Sequence, residues 1–306
     1  MYIRYYCFRS NVQHHKAVAS EFERVEGLDM VEQFPQDYMH SCCLGVMRRL
    51  LKMWIKGKRG RNYSVAPRYR QLLSKKLLRL RRFMPTCFQR RPRGVDELDF
   101  WKATELRQFL LYTGKIVLKG ILPDDQYEHF VAFSVALCIL VSPTLLSEYA
   151  EYADELLTYV VGRSKELYGT GFMVYNVHIL EHLAADAVRY GGLDNCSAFP
   201  YENHLQVVKS LVRSGNNPVS QIVRRLRERV NCQVVPREKT SGIDRRAPDN
   251  GFVLKDGRLI EVVERANQRG YVMARVFTDP KPLFEDPMDS RVIGVYSLNR
   301  YGKCGF

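Results

Sequence analysis

At 306 residues the chain is long enough for one large or two modest domains with a buried core, and 46% hydrophobic against 26% charged residues is a globular balance that excludes a disordered tail. The formal net charge of +14 points to a polyanionic partner. Eight cysteines without a CxxC pair, and a start with no signal-peptide apolar core, place the chain in a reducing compartment, with the basic charge favouring the nucleus over the cytoplasm.

Residues 1–36 lack sustained periodicity, although 29–34 reads as a short strand. From Ser41 the pattern turns helical: Leu44, Met47, Leu51, Trp54 and Ile55 form one stripe, with Arg48, Arg49, Lys52 and Lys56 largely off it. Residues 57–61 break that helix. A second puts Tyr69, Leu72, Leu73, Leu77 and Leu80 inward, and Arg70, Lys75, Lys76, Arg79 and Arg82 mostly outward. A basic connector follows over 85–94. Helices are predicted over 96–112 (stopped by Gly114), 124–141, 144–167, 174–190, 201–212 and 219–230, with Asp124 and Thr144 as N-caps.

The most apolar run, 130–141, is shorter than the ~20 residues a membrane span needs, and reads as a buried helix. Residues 231–249 are a polar, basic linker. Beyond them the pattern changes to strands: 252–254 and 259–263 flank the turn signal Asp256-Gly257, and 271–277 and 292–297 follow. The expected fold class is therefore mainly α, a helical region over 37–230 followed by a small β module over 250–306.

Charge is unevenly placed along this plan. Residues 38–95 hold 17 Lys and Arg and no Asp or Glu, leaving 30 of the 47 cations against 33 carboxylates in the remainder. Solvated helix faces account for many basic runs, but cations without local carboxylates favour a phosphate-binding surface. Arg48, Arg49, Lys52, Lys75, Lys76, Arg79, Arg81, Arg82, Arg90, Arg91 and Arg93 are its candidate residues. The expected partner is DNA, RNA remains open, no membrane is expected, and oligomeric state is not legible.

Four segments carry candidate chemistry. Phe34-Pro-Gln-Asp37-Tyr-Met-His40 sets an acid ahead of a helix, where Asp is usually an N-cap. Trp101-Lys-Ala-Thr-Glu105 through Gly114 is an amphipathic helix. Tyr175-Asn-Val-His178-Ile-Leu-Glu181-His182 places two histidines four apart, a spacing for core packing, for a structural metal, or for the inverted H-x-x-E-H protease motif. Phe199-Pro-Tyr-Glu202-Asn puts Glu202 in the first turn of a helix, where the macrodipole favours a carboxylate.

Taken in order, these segments resemble the transposases of the CACTA/EnSpm group in their animal-genome form. Asp37-Tyr-Met-His40 with Cys43-Leu-Gly-Val-Met-Arg48 matches the D-x-M-H block. Trp101–Glu105 with Phe109–Gly114, Tyr175–His178, Phe199–Asn203 and Leu211-Val-Arg213 match later blocks. The match spans about 37–228, with a weaker likeness over 249–257.

The resemblance implies a retroviral-integrase-like (RNase H-like) core with a long helical insertion and a D-D-E carboxylate trio. In it Asp37 stands for the second Asp and Glu202 for the Glu. His178 and His182 lie where related recombinases hold a structural Zn²⁺. Two Mg²⁺ ions, held by the carboxylates, would activate the oxygen nucleophile and stabilise the anionic transition state.

The chain departs from the pattern upstream. The first Asp belongs on a strand well before Asp37, and the 36 preceding residues show no strand triplet and no CxxC pair. The expected function is thus transposase-derived nucleic-acid binding by a truncated chain that is inactive alone. Three alternatives stay open: a fragment of an active transposase, a zinc metalloenzyme built on His178 and His182, and a non-enzymatic interaction module.

Overall fold

The apolar run of the sequence becomes the central element of the fold. In the computed structural model, which describes residues 21–29, 33–57, 63–231, 249–264, 272–298 and 301–302, that run lies in helix α5 (Asp124–Val141). Eight consecutive residues from Phe130 to Leu137 are buried, because α5 is surrounded by other elements on all sides. Its main neighbour is α6 (Pro143–Tyr168), which turns back after Ser142.

Around this pair lie α1 (Arg48–Lys56), α2 (Pro67–Leu80), α3 (Ala103–Gln108), α4 (Gly114–Val117), α7 (Tyr175–His178) and α8 (Leu183–Tyr190). Trp54, Phe109 and Phe130 meet at ring-centroid distances of 5.9–6.0 Å in its centre. Two later helices, α9 (Phe199–Ser210) and α10 (Pro218–Asn231), bury no side chain between Phe199 and Ser210 or between Pro218 and Arg229.

The structure refines several sequence expectations. Helix α1 is preceded by a π-helical stretch, Met39–Met47, so the helical stretch begins earlier than Ser41. Met47, Leu51, Trp54 and Ile55 are buried as the stripe requires, joined by Cys42, Cys43, Val46 and Leu50, whereas Leu44 is only half-buried. On α2, Leu73 and Leu77 are buried, but Leu72 is exposed. The helix expected over 96–112 is instead a 3-10 segment (Val95–Phe100), α3, a π-helical segment (Phe109–Thr113) and α4.

Gly114 is therefore not a stop. It lies inside the helical path, where an added Cβ would sit 2.5 Å from Phe130 Cζ and 2.6 Å from the Phe109 carbonyl oxygen. Its role is close packing against α5. Caps also move by a residue or two: Ser142, not Thr144, accepts from the Leu145 amide, and Pro123 precedes Asp124 as the cap of α5. The predicted strand at 29–34 falls partly outside the described residues, and Gln33 and Phe34 form a bend.

The C-terminal module is an antiparallel sheet of β1 (Gly251–Val253), β2 (Leu259–Glu264), β3 (Met273–Phe277) and, beyond two further short strands, β6 (Tyr301–Gly302), in the order β1-β2-β3-β6. Asp256-Gly257 turns the first hairpin, with Gly257 at φ +84°, a conformation that favours glycine. Ile260, Val262, Ala274 and Val276 make its small core. The two short strands, β4 (Pro280–Pro282) and β5 (Tyr296–Leu298), pair separately.

Between β4 and β5, Phe284, Met288 and Ile293 pack on the helical core. Tyr152 donates to the Pro287 carbonyl, and Lys119 Nζ to that of Leu283. The module is thus anchored to the helices, although the linker expected at 231–249 falls mostly outside the described residues. No helix among the described residues is long and apolar enough to cross a membrane.

Candidate nucleic-acid interface and the motif cluster behind it

Asp37 sits where the chain enters its first long helical stretch, and its carboxylate is fully engaged. Oδ1 accepts from the amides of Met39 (3.0 Å) and Ala198 (2.9 Å). Oδ2 accepts from the His40 amide (3.3 Å) and from His40 Nδ1. Two of these bonds cap the helix, as Asp does at such positions. The bond to Ala198 reaches 161 residues along the chain and fixes the start of α9.

Glu202 lies one turn further on, its amide bonded to the Ala198 carbonyl at 2.9 Å and its side chain exposed. Asp37 and Glu202 are therefore brought to one end of α9, but in different states. A metal ion at Asp37 has to displace hydrogen bonds that hold two segments together. Among the described residues, no three His, Cys, Asp or Glu side chains are arranged to hold a metal ion.

Neighbouring contacts join the other motif segments to this point. Tyr38 is buried and donates to Asp194 Oδ1. Arg107 reaches both, with Nε 2.7 Å from the Tyr38 oxygen and Nη2 2.9 Å from Asp194 Oδ2. Burial, and then the hydrogen bond to Asp194, push the Tyr38 phenol well above its ordinary range despite the opposing pull of Arg107. Phe199 packs edge-on against Tyr38 at 5.9 Å. Asp186 accepts from the Gln36 amide at 2.8 Å.

Sequence reasoning missed Arg107, Asp186 and Asp194, which sit in ordinary helical contexts and become partners only through tertiary contact. Gly45 supplies another junction: a Cβ there would lie 2.5 Å from Asn176 Nδ2, so glycine lets the Tyr175–His178 block pack against the Cys43–Arg48 block.

The histidine pair does not lie on one continuous helix. The expected helix over 174–190 is α7, a 3-10 turn (Ile179–His182) and α8. The rings still meet, with centroids 5.2 Å apart and nearly perpendicular, and His178 Nδ1 lies 3.4 Å from Glu181 Oε2. Cys42 and Cys43 add no thiolate. Both are fully buried, and burial pushes the Cys42 thiol up to about 12 and that of Cys43 well above its ordinary value.

Among the described residues, the candidate cations of the basic stretch divide into two populations. The expectation that all its cations lack carboxylate partners is wrong for three of them, because 38–95 folds against the acidic residues just after it. Arg93 makes a bidentate pair with Glu105 (2.6 and 2.8 Å) and reaches Glu97 at 3.2 Å. Glu105 is only 4% exposed and also accepts from the Lys102 amide, so Arg93 is a structural residue. Lys52 and Lys56 share Asp99. Arg48 and Arg49 donate to the carbonyls of Trp101 and Gly171, and Lys76 to those of Val117 and Lys119.

Lys75, Arg79, Arg81, Arg82, Arg90 and Arg91 form the second population. All six are exposed and make no ion pair among the described residues. Lys75, Arg79 and Arg82 follow the i, i+4, i+7 spacing of one face of α2, which runs on into the 3-10 turn Arg81–Phe83. Arg82 lies over the exposed Phe83 ring at 4.6 Å. Seven residues of helix span ~10 Å, about three phosphates of a strand at ~3.4 Å each.

No family model, no curated protein and no solved structure matches the chain.

Proposed function

We propose that this protein is a transposase-derived nucleic-acid-binding protein that grips the phosphate backbone of DNA and does not itself cut it. The observation that carries the binding is the set of six exposed cations from Lys75 to Arg91 with no carboxylate partner among the described residues. Exposed, unpaired cations give up least on meeting phosphates, and their contacts read charge rather than sequence.

The resemblance to CACTA/EnSpm transposases gains support from position. Segments around Asp37, Arg107, Asn176 and Phe199 match successive blocks of that group and lie against one another here. On this reading the helices over 37–230 are the remnant of an RNase H-like core with its helical insertion. Asp37 has been kept as an anchor, since both its oxygens are spent on hydrogen bonds. Neither Mg²⁺ at Asp37 and Glu202 nor Zn²⁺ at His178 and His182 is required for binding.

Fluorescence anisotropy with a labelled DNA duplex tests the proposal. Replacing Arg79, Arg82, Arg90 and Arg91 with Ser is expected to weaken binding at least tenfold, while Lys52→Ser, whose cation already faces Asp99, changes it less than threefold. Equal losses from both variants, or binding that prefers single-stranded RNA, contradict it.

A further inference from the structure

Helix α10 presents an apolar stripe that nothing among the described residues covers. Val219, Val223 and Leu226 recur at i, i+4 and i+7, on one side of the helix, and are 70%, 43% and 39% exposed. That is the spacing of a helix-to-helix seam rather than of scattered surface residues. The half-buried residues of α10, Gln221, Ile222 and Arg225, lie to one side of the stripe. An open surface groove of about 460 Å³ runs along its other side, lined among the described residues by Val219, Ser220, Val223, Arg224, Arg227 and Glu228.

The charges around the stripe select its partner. At 100° per residue, Arg227 borders it on one side and Arg229 on the other. The one carboxylate of α10 between Pro218 and Arg229, Glu228, lies on the far face and pairs with Arg224 at 3.1 Å. The arginines of both borders make no ion pair among the described residues.

We infer that α10 is a docking site for an acidic amphipathic helix, whose apolar stripe covers Val219, Val223 and Leu226 and whose flanking carboxylates meet Arg227 and Arg229. A second copy of α10 fits poorly, since either orientation sets arginine borders against each other. DNA satisfies the arginines but leaves the apolar stripe in water. The inference does not rest on the phosphate-binding reading, which uses other residues on other elements.

The test uses the full chain and two synthetic 21-residue peptides. Both carry Leu at the a and d positions of three heptads; one has Glu and the other Lys at e and g. Titration calorimetry is expected to show one Glu-flanked peptide bound per chain, at least tenfold more tightly than the Lys-flanked one. Val223→Asp with Leu226→Asp, at exposed positions that leave circular dichroism unchanged, should cost at least tenfold. Arg227→Glu and Arg229→Glu together should reverse the preference toward the Lys-flanked peptide. Failure of both peptides to bind, equal affinity for both, or indifference to the Val223 and Leu226 changes overturns the inference. So does a chain dimer in sedimentation that those changes dissolve, or a DNA affinity that they abolish.

Discussion

Removing the carboxylate of Asp37 should cost stability, whereas neutralising Glu202 should not. Two of the bonds to Asp37, from the Met39 and His40 amides, make a helix cap worth about 1 kcal/mol. The third, from the Ala198 amide at 2.9 Å, is charge-assisted and worth about 2 kcal/mol, and joins segments distant in sequence. Asp37→Ala should therefore destabilise the protein by about 3 kcal/mol. Asp37→Asn keeps an oxygen for Met39 and Ala198 and should lose only about 1 kcal/mol. Glu202 is exposed, and Glu202→Gln should stay within about 0.5 kcal/mol of the parent. Equilibrium urea unfolding followed by circular dichroism measures all three, at an unchanged m-value. An Asp37→Ala cost below about 1 kcal/mol, or a Glu202→Gln cost equal to it, refutes the anchoring role.

Three further outcomes follow from the same structure. Arg93→Ser leaves buried Glu105 without its bidentate partner and should destabilise by about 3–5 kcal/mol in the same unfolding assay, while DNA affinity of the folded protein changes little; the reverse pattern places Arg93 in the interface. Burial holds His129 down at about 4 against its ordinary 6.5, so the unfolded chain binds the extra proton first. Stability is then full above pH ~6.5 and falls by up to about 3 kcal/mol as pH drops to ~4, and His129→Gln should flatten that acid limb in pH-dependent unfolding. Incubation of the chain with supercoiled plasmid and Mg²⁺ or Mn²⁺ should give no nicking above background; nicking lost in both Asp37→Asn and Glu202→Gln makes the protein a nuclease.

Periodicity carried much of the fold. The buried run of α5 and the stripe Met47, Leu51, Trp54 and Ile55 are where a 3.6-residue repeat puts them, and Asp256-Gly257 turns the hairpin its residues specify. What pattern cannot carry is distance in space. Gly114 reads as a stop because glycine commonly ends helices, and only the approach of Phe130 explains it otherwise. The absence of carboxylates from 38–95 is real in sequence, yet Asp99, Glu97 and Glu105 fold back onto Lys52, Lys56 and Arg93. Asp37 shows the same limit: its local cap is readable, and its bond to Ala198 is not.

The slope of log Kobs against log salt concentration, measured on one DNA duplex between about 50 and 200 mM, is the most direct measurement of the phosphate-gripping role. The six exposed cations acting on B-DNA give a slope of about −5, at about −0.9 per phosphate neutralised. The variant carrying Ser at Arg79, Arg82, Arg90 and Arg91 keeps two of the six and should fall to about −2. A parent slope near zero, or a variant slope equal to the parent's, contradicts a phosphate-binding surface built from these residues.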